Sequence, residues 1–93
     1  MSINVQYLIT VNKNMPIVDV VGKVLVDRVS KEETNRKLLQ SASEVIDKVK
    51  LNNGTLLENP SRPNCKEKCV YFSVGFRSFE DMAMFLNSMH YLE

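Results

Sequence analysis

Two cysteines are the first residues of this chain that could do chemistry. Cys65 and Cys69 are separated by three residues in NCKEKC, and such thiols could hold a metal or form a disulfide. A structural zinc site takes four ligands, the single histidine is distant, and the spacing misses the two-residue gap of redox pairs. A disulfide closing so short a loop would stabilise the fold little. We expect two reduced thiols and no cofactor, with a disulfide or a metal shared across a dimer as the alternatives.

The other titratable side chains have structural explanations. Glu32 with Glu33, and Glu80 with Asp81, fall in the first turns of predicted helices, where the helix dipole favours negative charge. His90 lies near the end of the last helix, with no serine or cysteine beside it to act as a nucleophile. The chain has three glycines and no phosphate-binding loop or hydrolase motif. The sequence therefore predicts no catalytic residues, no metal site and no enzyme.

A basic cluster offers a different chemistry, the binding of phosphate or of an acidic protein surface. Arg62, Lys66 and Lys68 come before the strand at residues 69–76, and Arg77 follows that strand. The strand separates Arg77 from the other three by roughly 23 Å. Only Arg62, Lys66 and Lys68 are expected to share a surface.

Length and composition bound the class of protein. The chain has 93 residues, of which 44% are hydrophobic and 25% charged, and its formal net charge is +1. These values predict one globular domain over residues 1–93. The small net charge gives no overall electrostatic field that would attract nucleic acid or an anionic membrane. No stretch approaches the roughly 20 apolar residues of a membrane span, and the N-terminus lacks the pattern of a secretion signal. We expect a cytoplasmic, intracellular protein with no membrane partner.

The first part of the chain predicts a β-hairpin. From residue 3 to residue 11 the odd-numbered positions are apolar and, except for Leu8, the even-numbered ones are polar, as in an antiparallel strand with one buried face. Turn residues occupy positions 12–16, and an apolar run over 17–29 places its even-numbered residues on the core side. Gly22, within that run, indicates a bulge or a close backbone approach.

A long helix is predicted over residues 30–51. Ser30 begins a capping box of the form SxxE, and apolar side chains then recur at helical spacing. Gly54 is expected to be the left-handed residue that follows the helix. A short strand over 55–59 comes next.

The fourth predicted strand and the second predicted helix occupy residues 69–92. The even-numbered residues from Val70 to Phe76 are apolar and form the predicted core face of the strand. Ser78 stands at the N-cap of the helix, where its hydroxyl can accept from the Asp81 amide. An apolar stripe on this helix can then pack back onto the sheet.

The order strand, strand, helix, strand, strand, helix predicts an α+β fold. We expect a four-stranded antiparallel or mixed sheet in the order first, second, fourth, third, with both helices on one face. In this expectation the second and fourth strands run parallel in the centre, and the whole is a permuted ferredoxin-like sandwich. The alternative divides the 17–29 run at Gly22 into two short strands, which gives a meander.

The segment VYFSVGFRSFEDMAMFLNSM resembles the third strand and second helix of an RNA recognition motif. The resemblance covers less than a third of the chain. It implies that the outward residues Cys69, Tyr71 and Ser73 stand where that family stacks bases, and of these only Tyr71 has an aromatic ring. On the neighbouring central strand the outward positions include Asp19 and Asp27, which would repel phosphate.

The outward face of the sheet carries the leading functional hypothesis. Leu8, Val21, Leu25 and Tyr71 are expected to point away from the helices and to form an apolar patch, which usually marks an interface. Tyr71 is the kind of anchor that binding hot spots favour, and the edge strands could pair with another chain.

We therefore expect a small non-catalytic protein-interaction domain, an adaptor or inhibitor, whose partner is another protein or a second copy in a homodimer. Its size is that of many stand-alone inhibitors, including viral ones. The alternative is a module that binds RNA or another single-stranded nucleic acid, with Tyr71 stacking on a base and Arg62, Lys66 and Lys68 contacting phosphate.

Overall fold

The part of the chain that the structure describes forms one four-stranded antiparallel sheet and two helices. The computed structural model describes residues 5–24, 30–60 and 68–89. In chain order the elements are β1 (Val5–Val11), β2 (Ile17–Val24), α1 (Lys31–Leu51), β3 (Gly54–Glu58), β4 (Cys69–Phe76) and α2 (Phe79–Ser88). The sheet order is β1-β2-β4-β3, and both helices pack on the same face. The predicted α+β class and permuted ferredoxin-like order are confirmed.

The expected parallel orientation of β2 and β4 is wrong. The two strands pair antiparallel, with Val20 opposite Phe72. Helix α1 returns the chain to the end of the sheet where β2 began, so β2 and β3 run in the same direction. The connection from β3 to β4 then reverses the chain once more, which places an antiparallel β4 between them.

The β1–β2 hairpin is closed by a side chain of its own turn. The Asn12 side-chain oxygen accepts hydrogen bonds from the amides of Asn14 (2.8 Å) and Met15 (3.1 Å), as asparagine does in many turns. The pairing of β1 with β2 passes Gly22 without a register shift, so there is no bulge at that glycine. Instead, the Tyr7 ring lies 3.5 Å from where a Gly22 Cβ would be. Residues 25–29 of the predicted strand lie outside the described residues.

Helix α1 begins as predicted but ends differently. The Ser30 hydroxyl accepts a hydrogen bond from the Glu33 amide at 3.1 Å, which confirms the cap. At the other end the left-handed residue is Asn53 (φ 59°), not Gly54. Gly54 is the first residue of β3, and a Cβ there would lie 2.5 Å from the Val49 side chain. This glycine is required by close packing and not by its backbone conformation.

The core lies between the helices and the even-numbered residues of β2 and β4. Helix α2 begins where Ser78 accepts a hydrogen bond from the Asp81 amide at 3.2 Å, as predicted. Its Phe85 ring packs on the Phe76 ring, with the two ring centroids 5.1 Å apart. Among the described residues, the buried apolar side chains are Val18, Val20, Val24, Leu38, Ala42, Val45, Val49, Val70, Phe72, Val74, Phe76, Met82 and Phe85. Neither described helix is both long and apolar enough to cross a membrane.

Candidate protein-binding face and edge

Three apolar side chains form a row across the outward face of the sheet. Leu8 lies directly opposite Val21, and Val21 lies directly opposite Tyr71. Leu8 is 56% exposed and Tyr71 37% exposed, while Val21 between them is half-buried. We call these three residues the outer row. Leu25, the fourth residue predicted for this surface, lies outside the described residues.

A polar row lies beside the outer row and fixes its tyrosine. The Tyr71 hydroxyl donates a hydrogen bond to Asp19 Oδ1 at 3.3 Å, and the Ser73 hydroxyl donates to the same oxygen at 2.8 Å. Asp19 stands opposite Ser73 on β4. The Asp19 carboxylate therefore holds the Tyr71 side chain by its polar end.

The surroundings of Tyr71 also favour the protonated form of its hydroxyl. Partial desolvation, the nearby carboxylates of Asp19 and Glu58, and the hydrogen bond to Asp19 raise the pKa of Tyr71 above its usual value. A negative phenolate would be repelled by both carboxylates. An ordinary tyrosine hydroxyl is already neutral at neutral pH, and these surroundings keep that of Tyr71 a hydrogen-bond donor to higher pH.

Strand β1 forms one edge of the sheet, and the alternation of its backbone groups can be assigned. The Asn12 amide donates to the Ile17 carbonyl at 3.0 Å, one position beyond the pair Val11 and Val18. In an antiparallel ladder the residues that bond to a given neighbour alternate. The even-numbered residues of β1 thus bond to β2. The odd-numbered residues, from Val5 to Val11, turn their amide and carbonyl groups toward the outer edge.

The inward side chains of β1 are incompletely covered. Val5, Tyr7, Ile9 and Val11 are each half-buried against the core, whereas Val18, Val20 and Val24 on β2 are at most 2% exposed. Among the described residues no strand lies beyond β1. Apolar surface on both sides of the sheet therefore continues to this edge.

Tyr7 fastens β1 to helix α1. Its ring crosses Gly22, and its hydroxyl donates to the Ser41 carbonyl at 3.3 Å while also pairing with the Ser41 hydroxyl. Burial and then the Glu44 carboxylate raise the pKa of Tyr7. The side chain fixes the position of the edge strand from within.

Sequence reasoning missed an apolar groove at the other side of the outward face. It has a volume of about 300 Å³, and Arg77 lies at its rim. The Leu57 side chain crosses Gly75, with Cδ1 only 3.2 Å from where a Gly75 Cβ would be. A glycine inside an otherwise apolar strand was the available signal, because such a glycine often marks close contact. The groove is lined by Met15, Pro16, Ile17, Asn53, Thr55, Leu57, Gly75, Phe76 and Arg77.

The residues considered for nucleic-acid binding are only partly described. Lys68 is half-buried with a left-handed backbone (φ 56°), and its carbonyl accepts from the Val24 amide at 2.9 Å. Arg62 and Lys66 lie outside the described residues. Arg77 follows the opposite end of β4 from Lys68. Of the basic residues considered, the structure therefore describes only Lys68 and Arg77, which lie just beyond opposite ends of β4.

The candidates for catalysis and metal binding are also only partly described. Both acidic pairs stand in the first turns of α1 and α2, as predicted. His90 and Cys65 lie outside the described residues, so the structure does not test a bond between Cys65 and Cys69. Within residues 5–24, 30–60 and 68–89, no three histidine, cysteine or carboxylate side chains gather as metal ligands would.

Comparison with known proteins identifies no relative of this chain. No protein-family model, no curated protein and no solved structure matches it.

Proposed function

We propose that this protein is a small non-catalytic protein-binding domain, an intracellular adaptor or inhibitor, that acts through the outward face of its sheet. The observation that carries the proposal is the outer row. Its three side chains lie side by side on three neighbouring strands, and two of them are substantially exposed. The hydrogen-bonded sheet already fixes the backbone beneath these side chains, so no backbone ordering opposes their burial on binding.

The surroundings of the outer row are those of a protein interface. An apolar centre with an aromatic anchor is flanked by polar groups, with Asp19 and Ser73 on one side and Lys23 on the other. Interfaces have such a centre and a polar rim. The polar flank also orients Tyr71, which makes it a rigid anchor.

The charges around Tyr71 favour a protein partner over a nucleic acid. Stacking of a base on Tyr71 would bring phosphate near the carboxylates of Asp19 and Glu58, which already raise the pKa of the ring hydroxyl. Nucleic-acid affinity comes mainly from phosphate neutralisation. Protein binding is therefore the better-supported function.

The test is a pull-down from an extract of the source cells with immobilised wild-type and variant protein. The amounts of retained proteins are compared, and a second copy of this protein counts as a partner. We expect Val21→Ala combined with Tyr71→Ala to lose retained proteins by more than about tenfold, since removal of a hot-spot aromatic costs about 2 kcal/mol or more. The matched control is Leu39→Ala with Leu51→Ala, which truncates two exposed leucines on α1. Equal retention by the face variant and the wild type would refute the proposal.

A further inference from the structure

We propose that the outer edge of β1 binds β1 of a second copy of this chain, antiparallel, about a two-fold axis at Leu8. The two sheets would then join into one sheet of eight strands, four from each copy. This inference rests on the proposed function, because it names one partner and the edge at which it docks. It does not require that the second copy contact Val21 or Tyr71.

The backbone of β1 restricts the registers that such a pairing can adopt. The odd-numbered residues carry the outward amide and carbonyl groups, so an odd-numbered residue must lie opposite an odd-numbered residue. A two-fold axis at Leu8 places Tyr7 opposite Ile9 of the second copy, and Val5 opposite Val11. Leu8 is the central residue of β1, so this register pairs the strand over its whole length.

The side chains agree with this register. Leu8 lies opposite Leu8 of the second copy, as a non-hydrogen-bonded pair in which side chains approach most closely. Gln6 lies opposite Thr10, and both are uncharged and polar. The outer row of one copy then continues into the outer row of the other, which makes one apolar stripe across the joined sheet.

The composition of β1 lacks the features that normally prevent edge pairing. Its seven residues, VQYLITV, contain no charge, proline or glycine, and its ladder with β2 shows no bulge. A second copy therefore meets no like charge along the strand. It would also cover the half-buried inward side chains of Val5, Tyr7, Ile9 and Val11.

The dimensions of the edge set the expected strength. Seven residues span about 24 Å, and pairing along one strand buries less than the roughly 800 Å² per partner of a standard interface. We expect a reversible dimer with a dissociation constant in the micromolar range.

The experiment is analytical ultracentrifugation from about 5 to about 500 micromolar, a range that brackets such a constant. The variants are Leu8→Lys and the matched Thr10→Lys, each of which adds one lysine to the outward face of β1. In the proposed register Leu8→Lys places two ammonium groups opposite each other and raises the dissociation constant more than about tenfold. The two lysines of Thr10→Lys would be four residues apart across the pair, about 14 Å, so association stays near wild type.

Cross-linking tests the register independently of charge. In a chain with Cys65→Ser and Cys69→Ser, we expect Leu8→Cys to form a covalent dimer on mild oxidation, since the paired Cα atoms lie about 4.5 Å apart. Gln6→Cys alone should not form one. An equimolar mixture of Gln6→Cys and Thr10→Cys chains should cross-link to each other.

Three results would overturn the inference. They are a monomer at the highest concentration, a dimer equally weakened by both lysine variants, or equal cross-linking of Leu8→Cys and Gln6→Cys. If the chain stays monomeric while the Val21 and Tyr71 variant still loses a retained protein, the proposed face stands and the second copy does not. If the dimer forms while that variant loses nothing, the edge stands and the face does not.

Discussion

The two edge strands of this sheet differ in length, in regularity and in charge. Strand β1 has seven uncharged residues in an uninterrupted ladder. Strand β3 has five, GTLLE, with a register shift between Leu56 and Glu58 and a carboxylate at its end. Short length, irregular pairing and charge are the usual protections of an edge. The comparison supports the proposal that a second copy pairs with β1 and not with β3.

The largest effect is expected at the glycine that begins β3. In Gly54→Ala the new Cβ would lie 2.7 Å from the Phe76 ring and 2.9 Å from the Val49 carbonyl oxygen. We expect a loss of about 3 kcal/mol in the free energy of unfolding, because this packing has no room for a methyl group. Urea denaturation followed by circular dichroism measures the loss.

The matched control is Gly22→Ala, next to β1. Its new Cβ would meet the Val5, Val70 and Tyr7 side chains at 3.4 to 3.5 Å, which is ordinary contact. The variant should gain about 0.5 kcal/mol, since alanine loses less backbone entropy than glycine in a strand. An equal loss from both substitutions would mean that the β3 glycine is no more constrained than the one beside β1.

Hydrogen exchange can distinguish the two edges residue by residue. Between dilute and concentrated protein, exchange at the Tyr7 and Ile9 amides should slow by about tenfold or more, as their hydrogen bonds form only in the dimer. The Leu8 amide faces β2 and should change little, and the Leu56 amide at the outer edge of β3 should stay fast. NMR measurements at both concentrations provide the test. If Tyr7 and Ile9 exchange unchanged while sedimentation shows a dimer, the dimer uses another surface.

The attachment of β1 to α1 is expected to contribute a smaller energy. Tyr7→Phe removes the hydroxyl that pairs with Ser41 and should cost about 1 kcal/mol. Burial and Glu44 raise the pKa of Tyr7 in the folded chain above its unfolded value. Its contribution is therefore complete below the ordinary tyrosine pKa and is lost as pH rises through that value toward the folded pKa.

Thermal unfolding across alkaline pH measures this contribution. Tyr7→Phe should reduce the decline in melting temperature at alkaline pH. In the wild type, ionisation of Tyr7, followed by the tyrosinate absorbance, should need a higher pH than that of an ordinary tyrosine. A decline of the same size in both chains would show that Tyr7 does not anchor β1 through its hydroxyl.

The smallest effect is expected on the outward face. Tyr71→Phe removes a long hydrogen bond to Asp19 (3.3 Å) on the sheet surface, so stability should change by less than about 0.5 kcal/mol. The β1 dimer should be unaffected, because Tyr71 lies two strands from that edge. Chemical denaturation and sedimentation of this variant provide the measurements, and a weakened dimer would mean that the second copy reaches the face itself.

Local patterns predicted most of the elements of this fold. The predictions that rest on residues close together in sequence agree with the structure. They are the period of two in β1 and β4, the capping serines Ser30 and Ser78, and the order of elements. Strand direction and the left-handed residue at the end of α1 were wrong. Strand direction depends on how segments far apart in sequence pair. The glycine after α1 depends on packing, since the close contacts of Val49 and Phe76 require a glycine at Gly54 although its φ is not positive.

The same distinction between local sequence and long-range pairing applies to the candidate surface. The sequence by itself determined that Leu8, Val21 and Tyr71 face outward, because side chains alternate along every strand. Only the tertiary structure placed them in one row, since cross-strand register depends on hydrogen bonding between segments far apart in sequence. It also decided which backbone groups of β1 face outward, and it distinguished the regular edge from the bulged one. The sequence identified the residues of a surface, and long-range pairing decided which of them are neighbours.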